Sequence, residues 1–223
     1  MSLQEHIIIV AGGTGKRIKG NIPKQFIEVN GKPLIIFTME KFFAYNPAIQ
    51  MCIVVHKDYL QHMDSLCKKY FPDKAIKTTI GGDVRFHSVK NGLDLIENSN
   101  AIIGIHDAAR PMVSIETIKR CYESAAQKGN AIPVVDVNES LRVIENNSNK
   151  AVNRSNYKVI QTPQCFNAAL IKKAFEQEYS NLFTDDASVL ERTGEKIILV
   201  EGNTENIKIT HDTDLILAQH FLK

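Results

Sequence analysis

What most constrains this chain is an alternation of short apolar runs with longer amphipathic segments. The runs Ile7–Val10, Met51–Val55, Ile76–Ile80, Ala101–Ile105 and Ala131–Val135 are too short for helices, and most are rich in β-branched residues, as buried strands are. Between them lie Leu34–Tyr45, Lys57–Tyr70, Val84–Glu97 and Ile115–Lys128, where apolar residues recur at spacings of three and four. That period leaves one face of a helix apolar. Strands alternating with helices predict an α/β fold, a three-layer sandwich around a mostly parallel central sheet. At 223 residues, with no repeat or low-complexity stretch to divide it, the chain is read as one domain spanning 1–223.

Ligands of an open parallel sheet gather beyond the carboxyl ends of its strands. That rule selects residues 11–25, 81–88 and 106–111. The first begins Ala11-Gly12-Gly13-Thr14-Gly15-Lys16-Arg17. Its glycines let the backbone bend sharply and come close to a ligand, and successive N–H groups in such a turn hold anions. Lys16, Arg17, Lys19 and Lys24 add positive charge with almost no acid nearby. The combination predicts a phosphate cradle; a glycine turn beside a solvated basic patch is the plainer alternative. Spacing excludes two common cradles. Val10 stands where a Walker-type loop needs its first glycine, and Arg17 where it needs Ser or Thr. Ile18 stands where a dinucleotide fingerprint needs its third glycine.

The second segment is Gly81-Gly82-Asp83-Val84-Arg85-Phe86-His87-Ser88. By itself it reads as a glycine turn and a helix start, with Asp83 as cap and Arg85 and Ser88 on one face. The third is His106-Asp107-Ala108-Ala109-Arg110-Pro111. An acid just past a buried strand is placed to hold a divalent cation, and the alanines leave room for a ligand. The alternative is that Asp107 pairs with Arg110 and only stabilises the turn. His106 is read as a packed residue with no chemistry.

After Asp136 the alternation stops. Leu141 and Val143 alternate with polar residues, Asn146-Asn147-Ser148-Asn149 reads as a turn, and Ala151–Arg154 as the return strand. This predicts a hairpin arm over roughly 137–157. A lone two-stranded arm is marginal in water, so it needs a surface to lie on, either a partner subunit or its own domain. Gln161–Gln164 is a turn signal, and a helix is expected from Ala168 to about Glu178. Thr184-Asp185-Asp186-Ala187-Ser188 reads as a capped helix start. Ile197–Val200 and Ile207–Ile209 read as short strands, with Thr210 capping a last helix over 211–222. Lys208 points away from its two isoleucine neighbours.

Gly13-Thr14-Gly15-Lys16-Arg17 followed by Pro23-Lys24-Gln25-Phe26 resembles the nucleotidyltransferase signature Gly-x-Gly-x-Arg then Pro-Lys, in its cytidylyltransferase branch. With the other segments in order, the resemblance runs nearly end to end and points to the 2-C-methyl-D-erythritol 4-phosphate cytidylyltransferase family. A ribitol 5-phosphate cytidylyltransferase family is similar in much of the nucleotide site. The turn at 106–111, Val152-Asn153-Arg154 and the 184–188 segment look closer to the erythritol family.

The resemblance implies transfer of a cytidylyl group from CTP to a sugar-alcohol phosphate, with Mg²⁺ as cofactor held on Asp107. It implies nucleotide contacts from Ala11, Gly12, Gly13, Thr14, Gly15, Gly81, Gly82, Arg85, Ser88, Asp107 and Ala108. Arg17, Lys24, Arg154 and Lys208 take catalytic roles. Ser140, Arg154, Thr184, Asp185 and Lys208 form the acceptor pocket. It further implies a homodimer in which the arm crosses to the other subunit. A non-catalytic nucleotide sensor on the same fold is the alternative from another class.

Charge and composition exclude other classes. A net charge of +2 gives no general signal for nucleic acid or a membrane surface. No apolar run is long enough to span a bilayer, and Met1–His6 does not look like a secretion signal. Cys52, Cys67, Cys121 and Cys165 have neither zinc-ligand nor redox spacing. The expected compartment is the cytoplasm.

Overall fold

The computed structural model describes residues 3–13 and 22–222. Along the chain come β1 (Gln4–Ala11), the short pair β2 (Glu28–Val29) and β3 (Lys32–Pro33), α1 (Leu34–Tyr45), β4 (Gln50–Val55) and α2 (Leu60–Tyr70). Next are β5 (Ile76–Ile80), α3 (Arg85–Asp94), β6 (Ala101–Asp107), α4 (Ile115–Lys128) and β7 (Asn130–Asp136). The remainder holds β8 (Arg142–Glu145), β9 (Ser148–Ala151), β10 (Lys158–Ile160), β11 (Gln164–Asn167), α5 (Ala168–Ala174), α6 (Asp186–Glu191), β12 (Leu199–Glu201) and α7 (Asp212–Phe221).

The main sheet runs β10-β7-β11-β6-β1-β4-β5, with β12 also paired to β7. β1 lies parallel to β4 and β6, and β4 parallel to β5. Successive side chains of a strand face opposite sides of a sheet. Accordingly Ile7 and Ile9 of β1 pack with Met39 and Phe42 of α1 and Cys121 of α4, whereas Ile8 packs with Val89 of α3 and Phe175 on the other side. All three isoleucines are fully buried. Helices on both faces of the sheet make the three layers. A smaller cluster joins Val29, Leu34, Ile209, Ala218 and Leu222, and seats α7 beside β2 and the start of α1.

α1 and α4 span the ranges their periodicity predicts. Ser114 caps α4 through the amide of Thr117, and Gly129, at φ +91°, ends it in a left-handed cap that glycine favours. Several expectations are corrected. The hairpin turns at Asn146-Asn147, both at positive φ, which asparagine tolerates, so the return strand is Ser148–Ala151 rather than Ala151–Arg154. Arg154 begins a 3-10 turn instead.

α5 stops at Ala174, where the ladder tightens to i→i−3 bonds (Glu176 N–H to the Lys173 carbonyl), and the Gln177 side chain then donates to the Ala174 and Val189 carbonyls. Asp83 does not cap α3: the cap residue is Val84, with no side-chain bond. His211, not Thr210, caps α7, in a box with Asp214. The Ile207–Ile209 segment is no ladder strand; its backbone docks through Ile209, whose N–H donates to the Ala109 carbonyl. β11 was not anticipated at all. It enters between β6 and β7, antiparallel to both.

Gly104 lies where β6 passes under α4. A Cβ there would stand 2.5 Å from the Tyr122 hydroxyl, which donates to the His6 carbonyl at 2.7 Å. Gly104→Ala should therefore overpack the core and destabilise the protein by about 1–3 kcal/mol. Urea unfolding checks this; an unchanged midpoint would show that Tyr122 swings aside at no cost.

Candidate active site

β6, β1 and β5 end at the same edge of the sheet, with β4 between β1 and β5, and the segments after them line a cavity of ≈400 Å³. Its wall includes Ala11, Gly12 and Gly13 at the end of β1, Gly82, Arg85 and Ser88 after β5, and Asp107 and Ala108 at the end of β6. Lys24 and Lys208 complete it from distant parts of the chain. Thr14, Gly15 and Arg17 lie outside the described residues.

Asp107 is the centre of the charge arrangement. It is almost fully buried. Its Oδ2 meets Lys208 Nζ at 2.9 Å and Arg110 Nε at 3.4 Å, and its Oδ1 faces Arg85 Nε at 3.6 Å. Burial pushes the carboxyl up, but Arg85, Lys208 and Arg110 together outweigh it and hold the group well below the usual carboxylate range. The Asp107–Arg110 pair of the plainer reading is therefore present, and Asp107 also lines the cavity.

The backbone keeps it there. Asp107 N–H donates to Thr162 Oγ1 at 3.1 Å, and Thr38 Oγ1 donates to the Ala108 carbonyl at 2.9 Å. Arg110 reaches the Asn206 carbonyl at 2.8 Å, which with the Ile209–Ala109 bond delivers Lys208 to the carboxylate.

Arg85 bridges two helices. Its Nη1 and Nη2 meet the two oxygens of buried Asp186 at 2.7 and 2.6 Å. Burial alone would loosen its proton, but the Asp186 carboxylate more than compensates and raises its pKa further. Asp185, beside it, turns to a different task. It caps α6 in a box with Ser188 and accepts from Gln164 Nε2 at 2.7 Å. Thr184 and Asp185 line a small recess of ≈30 Å³ that shares Arg85 with the main cavity.

The glycines of the second segment have a local reason. Ser88 Oγ accepts from Gly82 N–H at 3.2 Å, and a Cβ on Gly81 would come within 2.8 Å of that oxygen. The same oxygen would lie 3.4 Å from a Cβ on Gly12, so Ser88 packs between both glycine turns. Lys24 Nζ donates to the Ile209 carbonyl at 2.8 Å.

Within one chain, Ser140 and Arg154 do not reach the cavity. Ser140 is exposed at the root of the arm. Arg154 donates to the Asn138 carbonyl and lines a separate hollow of ≈280 Å³ with Asp136 and Lys158. Two residues at the site went unassigned in the sequence. Gln25 lies inside the Pro-Lys-Gln-Phe motif that marked Lys24, and Asp186 beside Asp185. His106 is packed, as expected. Its ring nitrogens face Thr162 Oγ1 at 3.0 Å and the Arg110 carbonyl at 3.1 Å, and burial pushes its pKa down to about 4.

Residues 5–223 match the family model described as IspD, 2-C-methyl-D-erythritol 4-phosphate cytidylyltransferase. A relative with that name from Phocaeicola vulgatus is 44% identical over 217 residues, covering 97% of this chain and 99% of its own. One from Bacteroides thetaiotaomicron is 43% identical over 220 residues, covering 99% and 100%. The crystal structure of 4-diphosphocytidyl-2C-methyl-D-erythritol synthase from Anaerococcus prevotii superposes with a TM-score of 0.84 at 26% identity, over 99% of this chain and 96% of its own.

The neutral state of His106 makes a stability prediction. In the unfolded chain its pKa is about 6.5, so the unfolded state takes up a proton below that pH while the folded state, with its value near 4, does not. Its contribution is complete above pH 6.5 and drains away as the pH falls toward 4. The stability lost by wild type between pH 7 and 4.5 should exceed that lost by His106→Gln by about 2 kcal/mol. Parallel losses in urea titrations at the two pH values would refute the assignment.

Proposed function

The chain belongs to the 2-C-methyl-D-erythritol 4-phosphate cytidylyltransferase family, and we propose that the cavity beyond β1, β5 and β6 is where it works. There it transfers the cytidylyl group of CTP to 2-C-methyl-D-erythritol 4-phosphate, forming 4-diphosphocytidyl-2-C-methyl-D-erythritol and pyrophosphate for isoprenoid precursor synthesis by the non-mevalonate pathway. The observation that carries the site assignment is the meeting of Lys24, Arg85 and Lys208 with Asp107 around one cavity, from four separate stretches of chain.

The acceptor is a phosphate monoester whose second pKa is about 6, so near neutral pH it is largely a dianion and already a nucleophile. It needs no general base. It needs alignment with the α-phosphate and relief from repulsion between two polyanions. Arg17 and Lys24 are assigned to the charge that develops on the α-phosphate, where fixed donors act most strongly. Lys208 and Arg154 are assigned to holding the acceptor phosphate in line. Gly12, Gly13, Gly82, Arg85 and Ser88 shape the nucleotide side of the cavity.

Asp107 fits a Mg²⁺ ion of one kind. Among the described residues there is no group of three or more His, Cys, Asp or Glu able to hold a metal unaided. Magnesium, however, commonly takes one or two carboxylates and completes its shell with substrate phosphates and water. Asp107 supplies the one carboxylate, so the site suits an ion that arrives with the triphosphate. Bound there, Mg²⁺ would neutralise charge on the pyrophosphate leaving group.

The arm is the reason to read a homodimer. β8 and β9 form a sheet of their own, and Ile144 is 79% exposed. An isolated hairpin is marginal in water. Crossing to a second copy gives it a surface and brings Ser140 and Arg154 to the partner's acceptor pocket. Among the described residues no helix is long and apolar enough to cross a membrane. All four cysteines are free and buried, which suits a reducing cytoplasm.

Two experiments test this reading. Pyrophosphate release with CTP should be fast with 2-C-methyl-D-erythritol 4-phosphate and slow with ribitol 5-phosphate, and Lys24→Ala should lower turnover about a hundredfold with its circular dichroism intact. Wild-type turnover in that variant would remove Lys24 from the mechanism. Mixing Lys24→Ala with Arg154→Ala after partial unfolding and refolding should restore about a quarter of wild-type activity, because half the dimers then hold one intact site. Activity that stays at the level of the separate variants would place Arg154 in its own chain's site or outside catalysis.

A further inference from the structure

Gln25 sits on the 3-10 turn after Pro23, next to Lys24, and only 2% of it is exposed. Its Nε2 donates to the Ala11 carbonyl at 2.7 Å and to the Gly13 carbonyl at 3.1 Å. Ala11 is the last residue of β1, so one side-chain amide spans the point where the strand gives way to the glycine turn. All three residues stand in the wall of the main cavity with Lys24.

A carbonyl oxygen is the negative end of a strong dipole. Two of them left bare in the wall of a phosphate site would repel an entering triphosphate and lack hydrogen bonds of their own. Gln25 satisfies both oxygens at once. The side-chain amide suits this task because its nitrogen carries two protons and no charge. A carboxylate of the same shape would repel both carbonyls. A thioether would fill the space without donating. Gln25 also links the strand end to Lys24, whose amine is anchored on the far side by the Ile209 carbonyl.

We propose that Gln25 is a positioning residue for the nucleotide: it draws the Ala11 and Gly13 carbonyls onto its amide and so holds the end of β1 in a shape that meets a polyphosphate with donors instead of oxygens. The inference rests on reading the cavity as the CTP site. It separates Gln25 from a packing role, because the carbonyls it holds belong to the cavity wall itself.

The test is calorimetric titration of CTP with Mg²⁺ into wild type, Gln25→Met and Gln25→Glu, with acceptor KM and urea unfolding measured alongside. The CTP dissociation constant should rise about tenfold in Gln25→Met and about a hundredfold in Gln25→Glu, while the acceptor KM moves by less than about twofold. A packing role would lower the unfolding midpoint and leave the CTP affinity of the folded protein in place, which overturns the inference. If Gln25→Met does not fold, Gln25→Asn, whose shorter amide reaches one carbonyl at most, should weaken CTP by about threefold to tenfold, and an unchanged affinity overturns it equally. Wild type that does not bind CTP overturns the nucleotide reading and this inference with it. Wild type that binds beside an unmoved Met variant overturns this inference alone.

Discussion

The arrangement around the Asp107 carboxylate is the constraint on which the rest of this protein depends. A buried charge is costly unless it is paired and hydrogen-bonded. Here Arg85, Arg110 and Lys208 surround one carboxylate, and each comes from a different element or loop. The demand of that one group therefore fixes α3, the turn after β6 and the segment before α7 relative to one another. Arg85 extends the demand to α6 through Asp186. Removing the carboxylate would leave three cations facing each other, so this one acid holds the arrangement together.

Such an arrangement needs a rigid frame. β1 supplies it, with isoleucines buried alternately against α1 and α4 on one face and α3 and the α5 region on the other. Strands buried on both faces resist sliding, because a one-residue slip would turn every side chain to the wrong layer. The glycine turn, the Arg85 helix and the Asp107 turn are thus mounted on strand ends along one edge of the same sheet. The arm, a separate two-stranded sheet, lies outside that frame.

This division explains what could be read from the residues. α1 and α4 were legible because their signal, an apolar period of three and four, is local. The strands before the three site segments were legible because they are apolar runs between polar breaks. β11 was not, since Gln164-Cys165-Phe166-Asn167 is short and polar at its ends, and only pairing with β6 and β7 makes it a strand. Asp186 was missed for a similar reason. Both acids at 185 and 186 suit a helix start, and only the position of α3 decides which one meets Arg85. Ser140 and Arg154 are a different case: family resemblance alone puts them at the acceptor pocket, and within one chain they lie away from the cavity.

The balance of charge at the cavity also bears on what the chain binds. Its overall net charge is +2, and the positive charges of Lys24, Arg85, Arg110 and Lys208 gather at the cavity, interleaved with Asp83, Asp107 and Asp186. A surface patch of that sign would attract any polyanion. Here three of these cations already lean on Asp107, and Lys24 leans on a carbonyl. Their positions are thus fixed by the protein itself, which is the preorganisation that the proposed phosphate site calls for. A flat polymer backbone cannot enter a recess at a strand end, whereas a single nucleotide can. Confinement of the positive charge, more than its amount, is what turns a mildly basic protein into one suited to bringing two small anions together.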